Sequence, residues 1–428
     1  MRFLFLSILI GCSTGLLACS IFTCARNGRV LAGANEDGTF PFTYARIQPA
    51  EEGKFGAIFF GYSDLQAQAG VNEHGLFFDF AAIPPVSPKE SVETTPNQDC
   101  SGISELLHSC RTVDEVLAAL SVHPYTLTTS QLLVADARGG ASVINAKDIV
   151  RKPVGQDYLI TTNFAVCDVA SGAYDCLRYE IIDRELDRAG DISVEQFQGI
   201  LSDVHQEGAV STLYSMVCDL TAGKIHLSID HDFTRSQILD VAAELAAGYR
   251  IITLEDMFAE QSYSGADRRM RHPQYFREEL VNAFTRRGAT AGFRAFDSLL
   301  VLHPGRSEEV REGLTEVPFY LLARTRLEHD GQPLFYYFNP DLHNCEPYWR
   351  SDHDYLDTAV AVAEFLEAEG LADGSAYHYE VRGYLHLVRG EPDLAELHYR
   401  RANELGRPDD NWGTDRRASM LAYLADLR

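Results

Sequence analysis

The chain changes texture once along its length, and that change limits it to folds with a strand-built part and a helical part. From Cys19 to about residue 150, short apolar runs alternate with turn signals. Residues 20–25 and 29–33 read as strands. Asn27-Gly28 between them is a strong hairpin signal, because a two-residue turn of this kind needs positive φ at both positions. Residues 55–61 and 75–80 continue the strand pattern. Residues 130–135 and 141–145 form a predicted hairpin across Arg138-Gly139-Gly140, and 158–162 form a further strand. Leu106, Leu107, Cys110, Val113, Val116, Leu117 and Leu120 recur at helical spacing, which predicts one amphipathic helix over 103–120. Two more helices are expected near 193–205 and 235–247.

Beyond about residue 260 helical patterns dominate, apart from the aromatic run Leu334-Phe335-Tyr336-Tyr337-Phe338. Gly383, Gly390, Ala395, Tyr399, Ala402 and Pro408 fall close to the spacing of a tetratricopeptide unit. Gly288, Ala291, Ala295 and Pro304 give a looser echo. Stacking such units into a solenoid needs about three of them, so a helical-hairpin domain is the expectation.

Composition sets the class. Hydrophobic residues are 46% and charged residues 23% of the 428, which excludes a mainly disordered or collagen-like chain. The formal net charge of −25 repels phosphate backbones and excludes nucleic acid as a partner. Residues 1–18 read as a signal peptide: Arg2 gives the positive start, residues 3–10 a short apolar core, and Leu16-Leu17-Ala18 a small-residue ending. The expectation is export, to the periplasm or the exterior. Cys12 and Cys19 each follow a small residue, as lipidated cysteines of bacterial lipoproteins do, so a membrane anchor is expected if either is lipidated. The nine cysteines contain no Cys-x-x-Cys pair, which removes ribbon-type zinc sites and thioredoxin-like motifs. By proximity, Cys167 with Cys176 and Cys100 with Cys110 are candidate disulfides, and buried free thiols are the equal alternative.

Cys19 is where chemistry could begin. Cleavage after Ala18 would leave a free α-amine beside its thiol, and an α-amine titrates near 7.7–8.0, close to working pH. It could take the thiol proton itself, so nucleophile and base would share one residue. Such a site still needs a carboxylate to orient the amine and donors for an oxyanion.

Cys19-Ser20-Ile21-Phe22, then Gly33-Ala34-Asn35-Glu36-Asp37, then Gly70-Val71-Asn72-Glu73-His74-Gly75-Leu76 resembles the linear amide C–N hydrolases. This N-terminal-nucleophile group includes choloylglycine hydrolases, penicillin V acylases and isopenicillin N acyltransferases. Residues 158–164, Cys176-Leu177-Arg178-Tyr179 and residues 211–219 extend the similarity over about 19–235. The resemblance implies an α+β chain: residues 1–18 removed, 19–260 a four-layer αββα amidohydrolase domain, and 261–428 an α-helical, tetratricopeptide-like domain. It implies Cys19 as nucleophile, Asp37 as the holder of the α-amine and thiol, and the Asn163 side-chain amide and the Ala82 backbone N–H as oxyanion donors. It also implies a small N-acyl amide as the partner molecule, no metal or organic cofactor, and acyl transfer to another amine as a variant of the same chemistry.

Two departures stand out. Ala34 occupies the position where the choloylglycine and penicillin V enzymes carry an arginine, and no match to their second active-site arginine falls between Asp183 and Ser211. Both point away from bile salts and penicillin V as substrates. The reading from another class is a non-catalytic envelope lipoprotein, anchored through Cys12 or Cys19, whose helical tail contacts a partner protein. Asn72 reads as a turn residue, and His343, Cys345, Asp352, His353, Asp354 and Asp357 read as acidic helix-start chemistry rather than a metal site.

Overall fold

The computed structural model describes residues 19–62, 67–88, 103–122, 127–171, 175–258, 265–323, 327–329, 332–334, 355–372, 374–406 and 411–426. The leader, Cys12, Cys100, Cys345, Phe335 to Phe338 and all of the acidic-histidine cluster except Asp357 lie outside them. The strands are β1 (Ser20–Arg26), β2 (Arg29–Gly38), β3 (Thr43–Gln48), β4 (Ala57–Tyr62), β5 (Ala67–Asn72), β6 (Phe77–Ala82), β7 (Ser130–Ala135) and β8 (Ala141–Ile144). They continue with β9 (Ile149–Arg151), β10 (Tyr158–Thr161), β11 (Ser211–Asp219), β12 (Lys224–Ile229), β13 (Gln237–Asp240), β14 (Arg250–Thr253), β15 (Leu327–His329) and β16 (Gln332–Leu334). The helices are α1 (Ile103–Ser109), α2 (Val113–Val122), α3 (Leu177–Arg188), α4 (Val194–Asp203), α5 (Val241–Ala246) and α6 (Ala266–Arg271). They end with α7 (Tyr275–Leu302), α8 (Ser307–Ala323), α9 (Leu356–Ala368), α10 (Ala376–Val388), α11 (Pro392–Leu405) and α12 (Asn411–Asp426). The chain is therefore mixed α/β with antiparallel strands, and its described residues fall into two interleaved units.

The first unit takes the described residues of Met1–Phe40, Phe78–Val92 and Tyr125–Ile238. The predicted Asn27-Gly28 turn forms, with φ of 52° and 78° at the two positions. It pairs β1 with β2 from Arg26↔Arg29 out to Ser20↔Asn35. The order β10-β1-β2-β11-β12 follows, all antiparallel, with β13 beginning on the far edge. On one face, α3 and α4 bury Ile182, Leu186, Phe197, Ile200 and Leu201 against Phe22, Leu31, Ile160 and Val217. The Phe22 and Phe197 rings lie 4.8 Å apart. Each such side chain contributes about 1.5–3 kcal/mol when removed from water. Ser193 caps α4 by accepting from the Gln196 N–H at 3.1 Å. The second strand layer of this unit runs β6-β7-β8-β9, where the predicted β7–β8 hairpin forms with Gly139 at φ 87°. Strands β7 and β8 pack on β1 and β10. The layers of this unit are thus helix, sheet and sheet.

The second unit takes the described residues of Pro41–Phe77, Glu93–Pro124 and Leu239–Arg428. Its strands run β14-β3-β4-β5, covered by α1 and α5. The helix expected over 103–120 is two helices, α1 and α2, broken at Cys110-Arg111-Thr112. Asn72 explains the break: its side-chain amide donates to the Leu107 and Cys110 carbonyls at 2.8 Å each, satisfying the end of α1. Its Oδ1 accepts from the His74 and Leu76 N–H groups, so Asn72 is also the turn residue expected. The expected helix near 235–247 is short, because its first residues form β13.

Helices α7 to α12 bury a core that includes Phe276, Phe284, Leu314, Val362, Tyr384 and Tyr399. An ion pair lies inside it, with Arg417 Nη1 3.0 Å from Glu380 Oε1 and both side chains at most 1% exposed. Helices α10 and α11 form the hairpin that carries Gly383, Ala395, Tyr399 and Ala402. The looser echo at Gly288 is something else: Gly288 has φ 74° and ψ 179° and kinks α7. Repeat-like spacing therefore corresponds to one helical hairpin. Among the described residues no helix is long and apolar enough to cross a membrane.

Gly383 gives a stability prediction. A Cβ there would stand 2.7 Å from the Tyr399 ring and 3.1 Å from the Ala395 carbonyl oxygen. Alanine gains about 1 kcal/mol of helix propensity, but overpacking a buried ring costs about 1–3 kcal/mol. The overlap with Tyr399, itself 1% exposed, decides the sign. Gly383→Ala is expected to lower the urea midpoint, by roughly 1 kcal/mol net; a raised midpoint would show that α10 and α11 are not packed this closely.

Candidate active site

All the candidate site residues belong to the first unit. Cys19 immediately precedes β1 and is 3% exposed. The β1–β2 register that pairs Ser20 with Asn35 sets Cys19 opposite Glu36, one step further along. Cross-strand neighbours share a face, so the Cys19 thiol donates to Glu36 Oε2 at 3.5 Å. Glu36 and Asp79 of β6 are both buried and face one another. Burial pushes the Cys19 thiol well above its ordinary range, and the charges of Glu36, Asp37 and Asp79 push it further. The thiol is therefore the resting form, and it needs a nearby group to remove its proton.

Asp37 is fully buried and lies on the opposite face of β2 from Glu36, because side chains alternate along a strand. Its Oδ1 accepts from Thr212 Oγ1 at 2.5 Å, and its Oδ2 from Gln206 Nε2 at 2.8 Å. Burial raises its carboxyl to about 6, against the pull of Thr212, Gln206 and Arg178. Asn35, on the same face, is fixed by donating to the Leu201 carbonyl and accepting from Ser215 Oγ. Asp37 is thus held rigidly through Thr212 and Gln206.

Asn163 follows β10, and Ala82 ends β6. The structure brings the two together: Asn163 Nδ2 donates to the Ala82 carbonyl oxygen at 2.8 Å. One of the two N–H donors of that amide is therefore engaged with Ala82 in this state.

The residue that joins the set is Arg178, in the first turn of α3. Its guanidinium donates to the Cys19 carbonyl at 3.0 Å, to Ser20 Oγ at 2.6 Å and to Asn163 Oδ1 at 2.6 Å. It also stands 3.9 Å from Asp37 Oδ2. A cation in the first turn opposes the helix dipole, so its placement is set by these partners and not by the helix. Sequence reasoning quoted Arg178 within a motif but gave it no role, and it gave none to Glu36 or Asp79. The planar five-donor fork of arginine suits it to tie a backbone carbonyl, an amide oxygen and a carboxylate together.

The candidate disulfide between Cys167 and Cys176 does not form. Cys167 and Cys176 are free thiols, and Cys176 Sγ accepts from Thr162 Oγ1 at 3.3 Å. Cys110 is free and buried, with Cys100 outside the described residues. Asp357 lies in the first turn of α9, as expected of an acidic helix start. His205, Glu207 and His231 each place one donor atom within 4.8 Å of the others, a set that could hold a cation. His205 Nε2 is 3.1 Å from Glu207 Oε1, a geometry that an imidazolium–carboxylate pair also satisfies.

No family model matches the chain, and no curated protein sequence matches it. Among solved structures it is similar to penicillin V acylase from Agrobacterium tumefaciens, at 14% identity over 54% of this chain and 90% of that one, with a TM-score of 0.43. It is also similar to conjugated bile acid hydrolase from Clostridium perfringens in two variant structures. One aligns at 16% identity over 55% of this chain and 96% of that one, with a TM-score of 0.43. The other aligns at 16% identity over 58% and 97%, again with a TM-score of 0.43.

Proposed function

We propose that this chain is an exported cysteine amidohydrolase that cleaves a linear C–N amide bond of an N-acyl substrate through an acyl-enzyme on Cys19. One observation carries the reading: a single guanidinium, Arg178, connects the Cys19 backbone, the Asn163 amide and the Asp37 carboxylate around a thiol. Those are a nucleophile, an oxyanion donor and an orienting acid, the three parts that acyl transfer requires.

In the proposed reaction the Cys19 sulfur, once its proton is removed, attacks the amide carbonyl carbon. The Asn163 amide and the Ala82 N–H stabilise the oxyanion. The C–N bond breaks as the α-ammonium of Cys19 gives the leaving amine a proton, and water then hydrolyses the thioester. Asp37, fixed by Thr212 and Gln206, orients the α-amine. Glu36, Asp37 and Asp79 place three buried carboxyls around Cys19, and an α-ammonium freed by cleavage after Ala18 supplies a counter-charge there. Acyl transfer to a second amine uses the same thioester.

The test is the chemical state of residue 19. Intact mass and N-terminal sequencing of the exported protein are expected to give a chain beginning at unmodified Cys19. A diacylglyceryl cysteine, or a start upstream of residue 19, would overturn the proposal and favour an anchored lipoprotein.

A further inference from the structure

Among the described residues, a cluster of metal-ligating side chains stands where α4 runs into β11. Strand β12 pairs antiparallel with β11, Tyr214 opposite Ile229, so residues just after β12 lie beside those just before β11. That register brings His231 to His205 and Glu207, and each of the three places one donor atom within 4.8 Å of the others. The His205 and His231 rings lie 4.8 Å apart, centre to centre, and 25° from parallel. Asp230 and His231 both have left-handed backbones, with φ of 49° and 51°, which such residues adopt only where their surroundings hold them. His205 is the residue aimed most clearly. Its Nδ1 lies 2.5 Å from the Ser202 carbonyl oxygen, which can only accept, so Nδ1 carries the hydrogen. In the neutral ring Nε2 then keeps its lone pair, and it faces Glu207 Oε1 at 3.1 Å. Two acceptors so close repel unless a cation, proton or metal, joins them. Anchoring the far ring nitrogen on a backbone carbonyl is how proteins turn a histidine toward a metal.

We propose that His205, Glu207 and His231 form a binding site for a divalent transition-metal ion of the zinc type, with water as the fourth ligand. Two imidazoles and one carboxylate suit zinc, whereas calcium and magnesium call for oxygen ligands. Ligand atoms around tetrahedral zinc stand roughly 3.5 Å apart, so the set closes by side-chain movements of about 1 Å. Glu207, whose side chain is 72% exposed, has the room to make them. A bound ion locks residues 205–207, and Gln206 between the ligands is part of what holds Asp37. The Gln206 side-chain amide donates to Asp37 Oδ2 at 2.8 Å, and its N–H donates to Thr212 Oγ1 at 2.8 Å. Its carbonyl accepts from the Thr212 N–H at 2.9 Å, and Thr212 Oγ1 donates to Asp37 Oδ1. Metal binding therefore clasps the loop that fixes the Asp37 carboxyl. What the clasp does for catalysis rests on the amidohydrolase reading; the binding itself does not.

The test uses the full exported chain, stripped of metal with EDTA and titrated with zinc chloride by calorimetry. One zinc per chain is expected, with affinity lowered by roughly tenfold or more in Glu207→Gln and in His231→Ala. Cobalt in place of zinc is expected to show d–d bands without the charge-transfer band of a thiolate ligand. Zinc is also expected to slow amide exchange at Gln206 and Thr212 by roughly tenfold or more in the wild type, and not in Glu207→Gln. Should His231→Ala fail to fold by circular dichroism, Glu207→Gln at its exposed position decides. No zinc bound, equal affinity in wild type and Glu207→Gln, or a thiolate band would overturn the site and leave an imidazolium–carboxylate pair. Binding without slower exchange at Gln206 and Thr212 would overturn the clasp on Asp37. None of these readouts is activity, so each such failure leaves the Cys19 assignment standing, and Cys19→Ser tests that assignment separately.

Discussion

Cys19→Ser is expected to fold like the wild type and to lose amide hydrolysis by roughly 10⁴-fold or more. The size of the loss follows from proton affinity. A serine hydroxyl holds its proton far more tightly than a thiol, and the acid-rich pocket already raises the Cys19 thiol through burial and through Glu36, Asp37 and Asp79. A hydroxyl in the same place would need a much stronger base than the thiol does. Oxygen is smaller than sulfur and can bond to Glu36, so the fold should lose little: the strands on either side of Cys19 are fixed by pairing from Ser20↔Asn35 inward. The measurement is hydrolysis of a panel of N-acyl amides by both proteins, alongside their thermal midpoints. Activity within tenfold of wild type, with the fold intact, would sink the assignment of Cys19 as nucleophile.

Turn chemistry made the hairpins legible. Asn27-Gly28 and Arg138-Gly139-Gly140 stand where positive φ is required, and both form. Glu36 was legible by the same logic, although it sits unremarked inside Asn35-Glu36-Asp37. A two-residue turn pairs residue 26 with 29, and each step outward moves both strands by one, which brings 19 opposite 36. Asp79 and Arg178 were not reachable that way. Asp79 comes from β6, which is not paired with β1 or β2, and Arg178 meets the site only because α3 packs on β10 and β1. Nothing local in Cys176-Leu177-Arg178-Tyr179 tells which of its side chains turns inward. The break between α1 and α2 was hidden for a like reason: periodicity runs through Cys110, and what stops the helix is the side chain of Asn72, far away in sequence. Between a disulfide and free thiols at Cys167 and Cys176, left equally open by the sequence, the structure has free thiols, because proximity in sequence says nothing of whether Cβ vectors meet.

Arg178→Met is the sharpest test of how the site is held together. Methionine keeps the stem's apolar contacts but removes the bonds to the Cys19 carbonyl, Ser20 Oγ and Asn163 Oδ1. Asn163 then loses an anchor that orients its amide and keeps its bond to Ala82. An oxyanion donor displaced by about 1 Å costs on the order of 10²-fold in rate. A second effect follows from charge. Arg178 lowers Asp37, whose carboxyl burial raises to about 6, so its loss lifts Asp37 further and the acid limb of the rate profile moves to higher pH. The stability effect has the same sign. A carboxyl raised above its unfolded value destabilises the fold as pH rises through the interval between the two values, so the cost of Arg178→Met is largest above the Asp37 value and shrinks as pH falls below it. With Arg178 21% exposed, that cost is about 1–2 kcal/mol at neutral pH. Arg178→Lys separates the two effects: it restores the charge near Asp37 and so the acid limb, but a single ammonium cannot make the three-way fork, and the rate should stay at least tenfold low. If Arg178→Met instead keeps kcat/KM within twofold of wild type, Arg178 is a structural clasp between α3 and β1 and takes no part in setting the site.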